Sequence, residues 1–515
     1  MSEFETERDV MSGPLRHRKF TDVFCLLIFA AFWVFVAVIA VTAYTQGDMD
    51  NIAQPYDSDG YPCGKEDRLD YRYLFIDNPR SSKYNEKMVC VRRCPKEDDE
   101  RVDCVPNSSV EHCHDLTTYA SYGFASRLCI PKSRISVDSV KKRINISYIN
   151  TMVEDIKDAM WVFIVMVVIS ITVCFLWYFL VQYCAGIMIM VMLLGSLVAL
   201  IFFGVINWNK YKDFSEESDY NQNTANNYKN TAIVLWVLSG IFLLLILCLI
   251  GRIKLAAKMM QAAADFITDR PSVLLVPIIY TFLTAGFIIW WMVTFLYMYS
   301  VGELKHSPSS IFGKILWTQR TEAYVWSLIV ALLWGISFND SASIFIIAAM
   351  SAGWYFGRYE GQSVGLFQAM SWAYSYHIGT LAFGSLIIAA LWLIQIVLDY
   401  MYQKLKDIGQ ENFLYKCAMY FVSCFERFMR FLNKHAYIEV VLRNHSFCPA
   451  AMKCVEVLTT NFLRFSILSG LVGLFLFLGT IAISISITII GNYILKAYSH
   501  SFNAEFETIG PILVG

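Results

Sequence analysis

WGISFNDSASIFIIAAMSAGWY, residues 334–355, decides how this chain is read. It is a hydrophobic helical pattern interrupted in its middle by Asn339 and Asp340. At 3.6 residues per turn, Ser337, Asp340 or Ser341, Ile344, Ala348, Ser351 and Tyr355 fall on one stripe, with Trp334 a turn above Ser337. A carboxylate in hydrocarbon costs several kcal/mol, so an acid at that depth has two readings. Either it faces a cavity and marks an ion or substrate path, or Asn339 and Asp340 hydrogen-bond neighbouring helices as structural glue.

The surrounding 515 residues fit such a helix, being 56% hydrophobic and only 17% charged with a mean hydropathy of +0.47. This composition predicts an all-α polytopic membrane protein. A formal net charge of -1 argues against a nucleic-acid partner, which requires a clustered basic excess. The first apolar run, residues 23–43, is long enough to span and carries no small-residue cleavage site after it, so it is not a signal peptide. Arg16, Arg18 and Lys19 precede it and predict that residues 1–21 are cytoplasmic.

A first span over residues 22–43 leads to the longest polar segment, residues 44–157, which holds six of the 14 cysteines: Cys63, Cys90, Cys94, Cys104, Cys113 and Cys129. An even set on the non-cytoplasmic side predicts disulfides, whose connectivity the spacing leaves open. Asn107 and Asn145 open N-glycosylation patterns in the same loop. His112, Cys113 and His114 could be read as metal ligands, but disulfide chemistry is favoured there and no cofactor is called for. Residues 158–300 hold spans two to five, and Pro277, which removes one helical hydrogen bond near the inner end of the fifth, marks either a broken helix that lines a cavity or a harmless kink. After an outer loop over residues 301–321 come spans six and seven in residues 322–400. The sixth is far longer than the ~20 residues a perpendicular crossing needs, so it must tilt, break or protrude. His377, at the start of the seventh, reads as a structural histidine rather than a proton carrier.

Residues 401–461 are amphipathic and basic. Within them, residues 413–432 either span or lie on the inner surface, and Lys416, Glu426, Arg427 and Arg430 favour the surface, with Arg430 and Arg443 among its lipid-facing cations. A further span occupies residues 462–497. Eight runs span plainly and the ninth is residues 413–432.

Several motifs resemble one family, the choline transporter-like solute carriers. They are FTDVFCLLIFAAFW from Phe20, DGYPCG from Asp59, CVRRCP from Cys90, RLCIP from Arg127, DRPSVLLVPIIY from Asp269 and WYF from Trp354. YHIGTLAFGSLI from Tyr376, FERFMRFLNKHAYI from Phe425, NHSFCPAA from Asn444 and TTNFLRFSIL from Thr459 continue the series in order. The resemblance implies a ten-span helical carrier with both termini cytoplasmic. It implies sodium-independent movement of choline, ethanolamine or related organic cations, driven by membrane potential or proton exchange and feeding phospholipid synthesis. Plasma and organellar membranes are the implied locations. Its parity makes residues 413–432 a true span. Departures are Asn339 and Asp340 at positions the family keeps apolar, residues 34–38 lacking a family glycine, and a last span of which residues 498–515 look like only the extracellular beginning.

A quaternary ammonium has no hydrogen-bond donor, so a protein holds it by aromatic faces and a compensating negative charge. With 13 Trp and 29 Tyr available, the substrate-binding candidates are Trp290, Trp334, Trp354 and Tyr355, beside the polar or broken helices, and Asp340 as the acid. The partners expected are thus a small organic cation and the lipid bilayer. Two other classes stand against a carrier: a membrane enzyme of lipid metabolism, for which the spans lack a His/Asp constellation, and a receptor or scaffold that binds through its cysteine-rich loop.

Overall fold

A computed structural model describes residues 14, 18–52, 54–65, 68–76, 88–98, 103, 119–124, 127–131, 160–216, 222–305, 312, 314–360, 364–407 and 413–502. Eight helices in it are long and apolar enough to cross a membrane: Val23–Gln46, Val165–Cys184, Gly186–Phe214, Thr224–Cys248, Pro271–Tyr299, Gln319–Gly357, Ile378–Lys406 and Phe465–Ile494. They coincide with the eight runs that the sequence predicts to span.

By contact the chain divides into two units, the first made of Met1–Asn150 and Leu275–Cys454, the second of Thr151–Leu274 and Val455–Gly515. The second unit packs α2 (Met160–Glu216), α3 (Gln222–Asp269) and α10 (Phe462–Phe502). At Cys184 the backbone leaves helical angles (φ -128°, ψ 23°) and separates the two spans of α2. Its core joins Val181, Ile189, Leu193, Ile246, Ile253 and Phe475, with Trp177 stacked on Phe475 at 5.8 Å between ring centres.

The first unit holds α1 (Val23–Gln46), α4 (Leu275–Tyr299), α5 (Gln319–Glu360), α6 (Leu366–Ser371), α7 (Ile378–Asp407), α8 (Phe413–Arg443) and the start of α9 (Phe447–Thr460). Helix α5 is its axis, packed on α1, α4, α7 and α8. Most of the other apolar helices bury only a narrow stripe, but α5 has buried residues on several faces, among them Leu328, Ala331, Trp334, Ala342, Phe345, Ile346 and Met350. A helix with apolar residues on every face belongs in a core. Its 42 residues run unbroken through Asn339 and Asp340, and at 1.5 Å per residue they reach about 60 Å, so the excess length is met by tilt or protrusion.

Two expectations are corrected here. Pro277 does not break a span, because a 3-10 turn over Pro271–Leu274 leads into α4 at Leu275 and places the proline in the first helical turn. Its missing N–H falls where no intrahelical partner exists. Nor are Arg430 and Arg443 free lipid-facing cations. Arg430 Nε donates to Glu426 Oε1 at 2.8 Å and Trp392 Nε1 donates to the same oxygen at 3.1 Å, while Arg443 Nε lies 3.0 Å from Glu439 Oε2. Pairing one turn apart lowers the net charge that α8 carries.

Before α5 the chain forms a small sheet of β1 (Tyr73–Ile76), β2 (Met88–Val91), β3 (Ser121–Phe124) and β4 (Leu128–Pro131) in the order β2-β1-β4-β3. Only the β1–β4 pair is parallel. Alternate residues bury both faces: Leu74, Ile76 and Cys90 on one, Phe75, Val89 and Val91 on the other. So few residues make a thin core, and disulfides Cys63–Cys90 and Cys94–Cys129 staple it. Cys104, Cys113, the metal reading at residues 112–114, the glycosylation patterns at Asn107 and Asn145 and the tail at residues 503–515 lie outside the described residues. A hairpin of β5 (Glu303–Lys305) and β6 (Lys314–Leu316) connects α4 to α5.

Candidate functional site

Within the first unit α1 and α5 run side by side in opposite directions, and their facing residues change character along the way. At the end near the β5–β6 hairpin a cavity of ≈ 880 Å³ is lined by Thr42, Gln46, Glu303, Thr318, Arg320 and Tyr324 among others. Beneath it an apolar band of Val36, Ile39, Met298, Leu328 and Ala331 is buried to the last few per cent. Next comes an aromatic cluster. Trp334 has Phe32 at 4.9 Å and Phe29 at 5.1 Å, and Phe29 in turn stacks on Phe338 at 4.7 Å. Trp33 joins at 6.0 Å from Phe29 and 5.8 Å from Phe287.

From Trp334 onward α5 makes polar contacts with α7 and α8. Trp334 Nε1 donates to Ser385 Oγ at 3.1 Å and to the carbonyl of Ala382 at 3.2 Å. Tyr437 donates to Ser341 Oγ at 3.0 Å, and Asn433 Nδ2 donates to the carbonyl of Gly384 at 2.8 Å. This approach requires the glycine: a methyl there would collide with the Tyr437 hydroxyl and come 2.9 Å from the Phe447 ring.

The end nearest the start of α1 is closed by a knot of polar groups. The chain enters α1 through Asp22 in the left-handed region (φ 52°, ψ 44°), and α7 is preceded by a π-helical turn, Trp372–Tyr376. The Asp22 carboxylate accepts the N–H of Phe447 at 2.8 Å and the Thr380 hydroxyl at 2.6 Å. Thr380 has spent its proton on Asp22, so Thr21, 2.7 Å away, donates to Thr380. His377 Nδ1–H therefore donates to Thr21 at 2.8 Å. Arg18 lies 3.9 Å over the Trp372 ring and donates to the carbonyls of Val440 and Val441 at 3.2 and 2.7 Å. Burial pushes its guanidinium down to about 10, which leaves it a cation at neutral pH. Three segments distant in sequence meet there, and the side-chain partner of His377, Thr21, lies 356 residues away.

The five candidate residues are not gathered into one cage. Trp334 is 3% exposed at the centre of the cluster. Asp340, on the same helix, is exposed; it is Ser341 that turns inward on the stripe. Asn339 bonds Thr284 of α4 at 3.2 Å, as the glue reading expects. Trp290, partly exposed, touches the cluster's edge through Phe287 at 5.9 Å. Trp354 is partly buried, and Tyr355 is 63% exposed with its ring edge on Phe356. Twenty-one residues of helix put Tyr355 roughly 30 Å from Trp334, too far for one small ligand. The residues that do meet Trp334, namely Phe29, Phe32 and Ser385, are not among the binding candidates; the spacing of Ser385 and Ala389 in sequence points only to close helix packing. Their signal was present in the motifs at Phe20 and Tyr376, but no local spacing links those segments.

Membrane-length helices, a cavity at one end, a closed knot at the other and a buried aromatic and hydroxyl seam between them are the architecture of a multi-pass membrane transporter. The sequence agrees: the family described as plasma-membrane choline transporter matches residues 233–514, and the chain belongs to it. Relatives extend along nearly the full length. Choline transporter-like protein 2 of Dictyostelium discoideum is 25% identical over 559 residues, covering 98% of this chain and 87% of its own. Choline transporter-like protein 4 of Sus scrofa is 22% identical, covering 96% of this chain and 86% of its own. Choline transporter-like 1 of Aedes aegypti is 23% identical, with coverage of 93% and 83%.

Proposed function

We propose that this chain carries choline, and related organic cations such as ethanolamine, across the plasma membrane without sodium, driven by membrane potential or proton exchange, and so supplies phospholipid synthesis. The disulfide-bonded sheet faces outward in this reading, with Asn107 and Asn145 glycosylated beside it. The observation that carries it is the packing of Phe29 and Phe32 against the buried Trp334, at 5.1 and 4.9 Å, in a family whose relatives are named for choline. A quaternary ammonium that leaves water is recovered by ring faces at about 0.5 to 2 kcal/mol each, so two or three well-placed rings suffice.

The path follows the seam. A cation enters the cavity beside Glu303 and Tyr324, passes the apolar band when α1 and α5 part, and rests against Trp334. The knot at Asp22 and Arg18 closes the far side until it is released. Asp340 is halfway along a membrane helix and exposed; hydrocarbon would penalise it by several kcal/mol, so it belongs in a hydrated crevice that a cation passes. Trp290, Trp354 and Tyr355 line the approaches to that resting place.

Labelled choline flux into proteoliposomes containing the purified chain tests the reading. Saturable uptake that persists without sodium and responds to an imposed potential or proton gradient is expected. Uptake no greater than in empty liposomes, under every gradient, would end it.

A further inference from the structure

Two buried polar atoms of the seam stand apart from the rest. Ser337 Oγ and Asn433 Oδ1 have no hydrogen-bond partner among the described residues, although their residues are only 3% and 4% exposed. An unsatisfied buried polar atom costs about 1–3 kcal/mol. The usual remedy for a helical serine is to bond back to the carbonyl four residues earlier, and Ser327 of the same helix does so at 2.8 Å. Ser337 does not.

The two atoms lie on helices that both pack against α7. Ser337 lies on α5 between Trp334, which bonds Ser385, and Ser341, which bonds Tyr437. Tyr437 packs its hydroxyl on Gly384, and Asn433, one turn before it on α8, is anchored to the carbonyl of Gly384. Asn433 is thus bonded to Gly384, and Ser337 lies one turn along α5 from Trp334, which bonds the neighbouring Ser385.

Their chemistry is complementary to one group. A serine hydroxyl donates one hydrogen bond, and an amide Oδ1 only accepts. A ligand alcohol completes both at once, accepting from Ser337 and donating to Asn433. A quaternary ammonium offers no donor, so an alcohol is the only hydrogen-bonding group of choline. We propose that Ser337 and Asn433 read the hydroxyl end of the transported cation while the rings of Phe29, Phe32 and Trp334 hold its ammonium end. This assignment rests on the transport reading above and deepens it. It makes the chain selective for cations with an alcohol a short distance from the charge.

The test compares uptake of choline with that of ethyltrimethylammonium, the same cation without the oxygen, by the full chain in proteoliposomes. Sites built to bond a hydroxyl reject the analogue that lacks it, because their own polar atoms stay unpaired, and a preference of at least about 100-fold for choline is expected. Ser337→Ala should weaken choline about 10-fold and leave ethyltrimethylammonium unchanged. Thermal unfolding of the variant in detergent, with and without choline, verifies that it folds and reports binding independently of flux. Equal uptake of both cations by the wild type overturns the assignment. So does a Ser337→Ala variant that loses both cations alike, the mark of a packing role, or one that keeps the ratio, the mark of a water bridging the two atoms. A wild-type chain that carries neither cation overturns the transport reading and this inference with it, whereas uptake without discrimination overturns only the inference.

Discussion

At the scale of single residues, exposure separates the roles that sequence had joined. Trp334 is buried among rings and hydrogen-bonded to Ser385, so Trp334→Ala removes the central face from the cluster. Choline affinity in proteoliposomes is expected to fall about 10-fold at every pH, the loss of roughly 1–2 kcal/mol of cation–ring attraction. Asp340 is exposed and is not part of the ring cluster around Trp334. In the proposed path it would act on a passing cation through its charge, and Asp340→Asn is expected to slow uptake with little change in affinity. An uptake rate unchanged from wild type would remove Asp340 from the path. Gly384 is a packing residue: Gly384→Ala must displace Tyr437 and Phe447, and overpacking of that kind costs about 1–3 kcal/mol, readable as a lowered unfolding temperature.

At the scale of elements, the decisive feature is how the ends of α1, α7, α8 and α9 are tied. Asp22 bonds Phe447 and Thr380, Thr21 bonds the backbone of Tyr376, and Arg18 reaches Val440 and Val441. These links join the residues that lead into α1 to segments more than 350 residues on. Asp22→Ala leaves the Phe447 N–H and the Thr380 hydroxyl without an acceptor, a penalty of about 1–3 kcal/mol per buried group. If the knot is the inner gate, half-buried Cys25, one turn into α1, should react faster with a membrane-permeant maleimide in that variant, and choline leak should rise. Unchanged Cys25 reactivity with lowered stability would make the knot structural alone.

At the scale of the whole molecule, the sheet is a small fold attached to a helical one, and its stability has a different source. Two disulfides close loops of 27 and 35 residues around a core of some ten side chains. Each is worth about 2–4 kcal/mol, so reduction is expected to unfold the sheet while helical content by circular dichroism changes little. In intact cells, a membrane-impermeant maleimide should leave Cys63, Cys90, Cys94 and Cys129 unlabelled until reductant is added. Labelling before reduction would contradict the pairing.

The sequence by itself determined the class, the eight apolar spans and the oxidised loop, because hydrocarbon thickness and the need to satisfy every backbone group leave little choice once a run of twenty apolar residues is written. It also placed Trp334 on a stripe with Ser337, since helical periodicity is local. Only the tertiary structure decided that Ser341 and not Asp340 turns inward, that Pro277 opens a helix instead of breaking one, and that charged residues of α8 neutralise each other. Only the packing of distant segments could bring Phe29 and Ser385 to Trp334 or Asp22 to Phe447. Which face of a helix is buried depends on its neighbours, and those neighbours are separated by anything from about fifty to more than four hundred residues that carry no local trace of the contact.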